Sequence, residues 1–290
     1  MGNPFIHLHL HSEYSLLDGV QKLRPLISKI QEFKMPAIAL TDHGSMAGAY
    51  EFWSICKEMG VKPIIGCEVY VAARKRTDKE VGIDDKRYHL TLLAKNKEGY
   101  QNLLNMVSIA NLEGFYYKPR VDKELLKKYS KGIICLTGCL SGQLAQNLLH
   151  EKWDEAEEWL SFLKKNFEHV FVELTKFPHA DVDFVLPKLV DIAKRTKTEL
   201  VATCDAHYLD KEDYIIQEIA WCISDGRKLS DPERRRVDAS EFYVKSSEEM
   251  YELFKDLPEA VENTWKIAEL VEVYGIEFQR IQPRYDTKLD

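Results

Sequence analysis

The segment FIHLHLHSEYSLLDG, residues 5–19, sets His7, His9 and His11 at alternate positions, and Asp18 follows His11 seven residues later. Residues two apart on an extended strand share a face and lie about 7 Å apart along the chain. Three imidazoles therefore line one side of any strand formed here. Imidazoles with a nearby carboxylate are the ligand set of a transition-metal site, and two of them at this spacing can reach one ion or two adjacent ions. Other residues of metal-binding type are Asp42 and His43 in ALTDHG, Glu68 in GCEVYVA, His89 in YHLTLLA, Cys139 in LTGCLSG, and Asp205 and His207 in ATCDAHYL. Imidazole and carboxylate with a single thiol suit Zn, Mn or Fe far better than Ca or Mg.

These residues span some 200 positions, so regular elements must bring them together. FIHLHLH reads as a strand, LRPLISKIQEFK as a helix, PAIALTD as a short apolar strand, AGAYEFWSICKEMG as a helix closed by Gly60, and KPIIGCEVYVA as a strand. RKRTDKEVGIDDKR is a charged loop or hairpin tip, followed by the strand YHLTLLA and the helix EGYQNLLNMVSIAN. Later strands are GIICLTG, HVFVEL and LVATCDA, with helices near 141–149, 153–166, 184–196, 210–223, 247–255 and 259–271. Strand and helix alternate about seven times, which predicts an α/β fold of parallel strands covered by helices. In such a barrel the C-terminal strand ends converge on one face, where active sites are built. Apart from His9 and His11, each metal-type residue falls near such an end. Each also has a plainer reading. TDHG is a turn with Asp42 as cap and Gly44 left-handed, Glu68 is a partner for a lysine, Cys139 is a small buried hydrophobe, and Asp205 is a helix cap. Registration at six separate strand ends favours one shared site. His150, His169 and His179 do not follow the pattern and read as helix-end or surface residues, and His7 reads as a core or supporting residue.

At 290 residues the chain has room for one large α/β domain or two small ones. No apolar run of about 18 residues implies a membrane span, and no secretion signal is present. Six cysteines without a CxxC pair read as reduced cytoplasmic thiols. A net charge of −7 argues against an autonomous, tight nucleic-acid binder. It leaves room for a catalytic domain to which another module delivers nucleic acid. The final EFQRIQPRYDTKLD is polar and aperiodic, as in a linker or a truncation point.

The blocks HLHLHSEYSLLDG, ALTDHG, GCEVYVA, YHLTLLAKN, EGFYYKPRVDKELL, LTGCLSG and ATCDAHYL together resemble the PHP (polymerase and histidinol phosphatase) domain. Within that family they are most similar to the N-terminal PHP domains of bacterial replicative DNA polymerase III alpha subunits. The resemblance implies a distorted (β/α)7 TIM-like barrel over residues 1–275, with 276–290 a linker or the start of the polymerase region. It implies two or three divalent transition-metal ions (Zn, Mn or Fe) on His9, His11, Asp18, His43, Glu68, His89, Cys139, Asp205 and His207. The expected activity is metal-dependent phosphoester hydrolysis, as a 3′–5′ proofreading exonuclease, with no polymerase active site on this chain. The expected partners are a DNA 3′ end brought by the parent polymerase, that polymerase's other domains and further replisome subunits, with no membrane. Lys118 and Arg120 in YYKPR, and less so Arg87, are the candidate phosphate contacts, because Arg suits bidentate phosphate binding. Two other classes compete: a structural module of the polymerase without activity, and a free-standing phosphatase of the histidinol-phosphatase type. The intact donor set favours an enzyme over the former. SEYSLLDG and EGFYYKPR favour a polymerase-type domain over the latter.

Overall fold

The computed structural model describes residues 2–236 and 240–277. The stretch 278–290, most of the expected linker, lies outside the described residues. In chain order the elements are α1 (Leu23–Glu32), β1 (Ala37–Leu40), α2 (Ala49–Met59), β2 (Lys62–Ala72), β3 (Arg87–Ala94), α3 (Lys97–Leu112), β4 (Phe115–Tyr116), β5 (Lys118–Val121) and α4 (Lys123–Lys128). Then follow β6 (Ile133–Leu136), α5 (Gln143–Leu149), α6 (Trp153–Asn166), β7 (His169–Thr175), α7 (Ala180–Thr196), β8 (Glu199–Thr203), α8 (Tyr214–Asp225), α9 (Ser247–Leu253) and α10 (Pro258–Leu270). Most match the expected boundaries within a few residues. α2 ends at Gly60, whose φ of 72° only glycine adopts cheaply. β1 and β6 are buried at every position, as strands covered on both faces must be.

The sheet runs β4-β5-β2-β3-β6-β7-β8, with β1 also paired to β2. β1 with β2, β6 with β7, and β7 with β8 are parallel. β3 departs from the all-parallel expectation, since it is antiparallel to both β2 and β6. The reason is the connection. Residues 73–86 contain no helix to carry the chain back across the sheet, and without a crossover the next strand must reverse.

The first segment also departs from expectation. Residues 5–11 form no ladder strand, only a parallel bridge from Leu10 to Ala206. The segment is threaded between β1 and the end of β8: the amides of Ala39 and Thr41 donate to the His7 and Leu10 carbonyls, and the His11 amide donates to Ala206. Side chains and later elements take the remaining groups. The Leu10 amide donates to Thr41 Oγ1, and the Ile6 amide to Thr264 Oγ1 on α10. The alternation still operates. Ile6, Leu8 and Leu10 are buried, and so are His7, His9 and His11. One face of the segment packs in the apolar core and the other lines the interior with imidazoles. The mixed sheet so completed is a distorted TIM-like α/β barrel.

Candidate metal centre

Four side chains form the floor. His9 and His11 come from the first segment, Glu68 from β2 and Asp205 from the turn after β8. His9 Nε2 lies 3.2 Å from Glu68 Oε1 and 3.3 Å from Asp205 Oδ1. His11 Nε2 lies 3.1 Å from Asp205 Oδ1 and 3.6 Å from Glu68 Oε2. Asp205 is held at φ 50°, a left-handed conformation sparsely populated by non-glycine residues. Such strain persists where the surrounding structure fixes it, and it gathers at functional sites.

The rim is added by neighbouring strand ends. His43 follows β1, bridges to Glu68, and sets Nδ1 2.6 Å from Glu68 Oε2. Gly44, after it, is left-handed at φ 57°, as the turn reading of TDHG requires. His89 on β3 sets Nδ1 2.8 Å from Glu68 Oε1. Asp18 reaches His43 Nε2 at 3.1 Å and accepts from Trp221 Nε1 at 2.6 Å and Gln217 Nε2 at 3.2 Å, both on α8. His207 donates Nδ1–H to the Asp205 carbonyl at 2.7 Å, and its ring lies tilted by 30° to that of His11, 4.4 Å between centroids. Cys139 sits on the loop after β6, its Sγ 3.9 Å from Glu68 Oε1. That loop comes close because Gly138 (φ 86°) has no Cβ; one would lie 2.5 Å from the His89 carbonyl oxygen. All nine expected positions thus meet at one end of the barrel.

The arrangement fits a cation. His9 Nε2, His11 Nε2, His43 Nδ1, Glu68 Oε2 and Asp205 Oδ1 are buried and lack a hydrogen-bond partner, although several lie within ion-pair distance of one another. Buried polar atoms without partners are costly, and a shared cation removes that cost. Within the centre, His9–His11–Asp205, His11–His43–His207 and His43–Glu68–His89 each bring three ligand atoms within 4.8 Å of one another. These histidine and acidic groups are positioned for metal binding.

The electrostatics set the imidazoles apart: burial would lower both His43 and His9, but Glu68 and Asp18 lift His43 to about 10, and Asp205, Glu173 and Glu68 lift His9 well above its ordinary value. Burial, with the neighbouring His43 and His207, pushes the His11 imidazole down to about 3, which leaves it neutral and able to donate a lone pair. Burial alone would raise Glu68, but His89, His9 and His43 outweigh it and hold the carboxyl well below its ordinary value. The Cys139 thiol is pushed well above its ordinary value by burial and by Asp205 and Glu68.

Two carboxylates beneath the centre do other work. Glu173 on β7 accepts from His9 Nδ1 at 2.6 Å, from the Thr203 and Thr91 hydroxyls at 2.7 and 3.2 Å, and from the Gly138 amide at 3.0 Å. It fixes the His9 tautomer so that Nε2 faces the centre. The sequence reading missed it; the only signal is a carboxylate at an inward position of the apolar run HVFVEL. Asp42 accepts from the Ser12 amide and from the Ser12 and Ser15 hydroxyls, and Ser15 Oγ lies 3.2 Å from His11 Nδ1. His7 is indeed a core residue, with Nε2 donating to the Lys245 carbonyl at 2.9 Å.

The expected phosphate contacts need correction. Arg120 is completely buried, and its guanidinium donates to the carbonyls of Gly114, Asp84, Arg76 and Asp78. It ties down the 73–86 loop and has no freedom to meet a substrate. Lys118 is exposed, and its Nζ sits 5.7 Å from the Tyr70 ring centroid, with the Arg87 guanidinium at 5.8 Å. Tyr70 in turn stacks on His43 at 5.9 Å, so both cations stand one ring away from the centre. The cavity over the centre, of about 260 Å³, is walled instead by Phe177, His179, Trp221, Arg235, Arg236 and Phe242. His179, set aside on sequence grounds, thus lies at the mouth. His150 lies in a separate hollow with Arg87, and His169 lies beside Lys95.

An α/β barrel with imidazoles and carboxylates gathered at one end defines a class of metal-site proteins. Residues 7–176 match the PHP domain, and the chain belongs to that family. Over 276 residues it is 46% identical to the DNA polymerase III subunit alpha of Borreliella burgdorferi, covering 94% of this chain and 24% of that one. The Thermus aquaticus DNA polymerase III subunit alpha is 42% identical over 280 residues, with 93% and 23% covered. The chain therefore spans about a quarter of the length of these relatives. Among solved structures it resembles a two-domain protein from Bacteroides vulgatus described as containing a predicted PHP-like metal-dependent phosphoesterase. That likeness has 13% identity, a TM-score of 0.44, and coverage of 96% of this chain and 73% of that one. No helix among the described residues is long and apolar enough to cross a membrane.

Proposed function

We propose that this chain is a metal-dependent phosphoesterase domain that hydrolyses the 3′ end of DNA, working in the cytoplasm as part of a polymerase III alpha chain and its replisome. Residues 1–275 are the domain. His9, His11, Asp18, His43, Glu68, His89, Cys139, Asp205 and His207 hold two or three Zn, Mn or Fe ions. The observation that carries the reading is the cluster of buried, partnerless nitrogen and oxygen atoms beneath an open cavity. The identity to DNA polymerase III alpha subunits supports the DNA substrate. Divalent ions supply a water nucleophile at neutral pH and screen the charge of the phosphate under attack. The chain's own residues fix the geometry. Glu173 orients His9, Ser15 and Asp42 orient His11, and Trp221 and Gln217 hold Asp18 against His43. Lys118 and Arg87 are outer phosphate contacts beyond Tyr70.

The test combines elemental analysis with a nuclease assay. The purified chain should contain two or three transition-metal ions, and should shorten a 3′-mismatched primer in preference to a small phosphate monoester. Absence of Zn, Mn and Fe after reconstitution would reject the reading. Preference for the monoester would replace the exonuclease with a small-molecule phosphatase.

A further inference from the structure

The cavity over the centre has a wall that metal binding does not use. Phe177 follows β7, and its ring lies 5.0 Å from that of Phe242 at an interplanar angle of 57°. Phe242 meets His207 edge-on at 6.1 Å. The aromatic wall thus begins one ring from the centre, and both phenylalanines are half-buried rather than sealed in the core. On another side of the same cavity stand Arg235 and Arg236. The run Arg234–Arg236 divides its labour. Arg234 is the anchor: it is nearly buried, lies 2.6 Å from Glu218 on α8, and donates to the Leu229 carbonyl. Arg235 stands over Trp221, 4.2 Å from the ring centroid, with its Nε 3.6 Å from Asp225 Oδ2 at the end of α8, which leaves the rest of its fork free, and the same Trp221 donates to Asp18. Arg236 is exposed at the cavity. In a chain of net charge −7, two guanidinium groups at the opening of an imidazole and carboxylate centre are a local reversal of sign.

We propose that this wall is a nucleotide subsite. Arg235 and Arg236 bind the phosphate beside the bond to be cut, and Phe177 and Phe242 stack on the base of the terminal nucleotide. The inference rests on the phosphoesterase reading and names its substrate class. Guanidinium forks match phosphate oxygens. Aromatic faces accept any base, which suits an enzyme that must act on every sequence. A small phosphate monoester would leave the two phenylalanine faces without a ligand partner.

Two diesters with the same leaving group separate the base from the phosphate: thymidine 5′-(4-nitrophenyl phosphate) and methyl 4-nitrophenyl phosphate. Phe242→Ala and Phe177→Ala should raise KM for the thymidine ester by about 5- to 150-fold and leave that of the methyl ester within about twofold. Arg235→Ala and Arg236→Ala should raise KM for both esters. Phe242→Leu keeps apolar volume without a π face, and it guards against an alanine variant that fails to fold. In parallel, binding of fluorescent oligothymidylate to the chelator-treated chain should weaken at least fivefold in the phenylalanine and arginine variants. Equal losses on both esters in the phenylalanine variants, or unchanged oligothymidylate binding, would overturn the subsite. If the metal-loaded wild type cleaves neither ester, the phosphoesterase reading fails separately, and the oligothymidylate measurement alone decides the subsite.

Discussion

Glu68 and Glu173 are buried carboxylates on different strands, and both touch His9, one on each ring nitrogen. Glu173 has donors on both oxygens, among them two hydroxyls and a backbone amide. Glu68 faces His9, His11, His43 and His89, and its Oε2 has no hydrogen bond. A carboxylate supplied with neutral donors is finished by the protein itself. One surrounded by imidazoles, with an oxygen left without a donor, is finished by a cation. The difference separates a residue that supports the fold from one that serves the site, although both look alike as a glutamate in an apolar strand.

The comparison is broken most directly at Glu173. Glu173→Ala leaves His9 Nδ1, two hydroxyls and the Gly138 amide without an acceptor in the interior. Removing one partner of a buried, hydrogen-bonded pair costs about 3–5 kcal/mol. Urea unfolding of the chelator-treated chain should show a loss of that size, independent of metal. A stable variant that has lost only its metal would mean that Glu173 belongs with Glu68.

At Glu68 the expected pattern is the reverse. Glu68→Gln keeps the volume and removes the charge shared by the histidines. Metal content should fall, and with it the stabilisation that metal gives, RT ln(1 + [L]/Kd), about 2.7 kcal/mol at 100 times Kd. In excess chelator the variant should lose less stability than Glu173→Ala. Wild-type metal content and an unchanged melting shift on adding Zn or Mn would remove Glu68 from the centre.

Much of this was legible in the sequence, and the gaps have physical causes. Alternation fixed the shared face of His7, His9 and His11, because side-chain direction has period two whether or not a ladder forms. It could not reveal that the ladder is absent, since the groups that replace it, on Thr41 and Thr264, are remote in sequence. Strand direction was lost at β3 for a similar reason. An apolar run reads the same in both senses, and only the connection decides. Arg120 was misassigned because a motif shows which side chains carry charge but not which charges are already spent. Arg120 is consumed by four carbonyls of its neighbourhood. The RRR run drew no notice, since its division into anchor and contact depends on Glu218 and Trp221 on α8. Glu173 was hidden by the same logic.

The smallest effect sharpens the comparison from the third histidine of the opening segment. His7 shares the alternation of His9 and His11 but has no carboxylate beside it; its ring sits between the Lys245 carbonyl and Cys204 Sγ. Burial pushes its pKa down to about 4, and the Lys245 ammonium opposes a proton as well. In the unfolded chain it titrates near 6.5. Below that pH the unfolded state binds the proton that the folded state refuses, so the folded chain is penalised as pH falls from 6.5 toward 4; above 6.5 the penalty is absent. At pH 5.5 linkage puts it at about 1.4 kcal/mol. His7→Gln retains an amide donor for the Lys245 carbonyl and removes the titration. In excess chelator, the difference in stability between wild type and variant should therefore be flat from pH 7 to 8 and shift by about 1 kcal/mol toward the variant at pH 5.5. A shift toward the wild type at pH 5.5 would mean that His7 is protonated in the fold and belongs electrostatically with His9, next to the carboxylates, and a difference that stays constant with pH would mean that folding leaves its pKa unchanged; either outcome removes the buried, neutral His7.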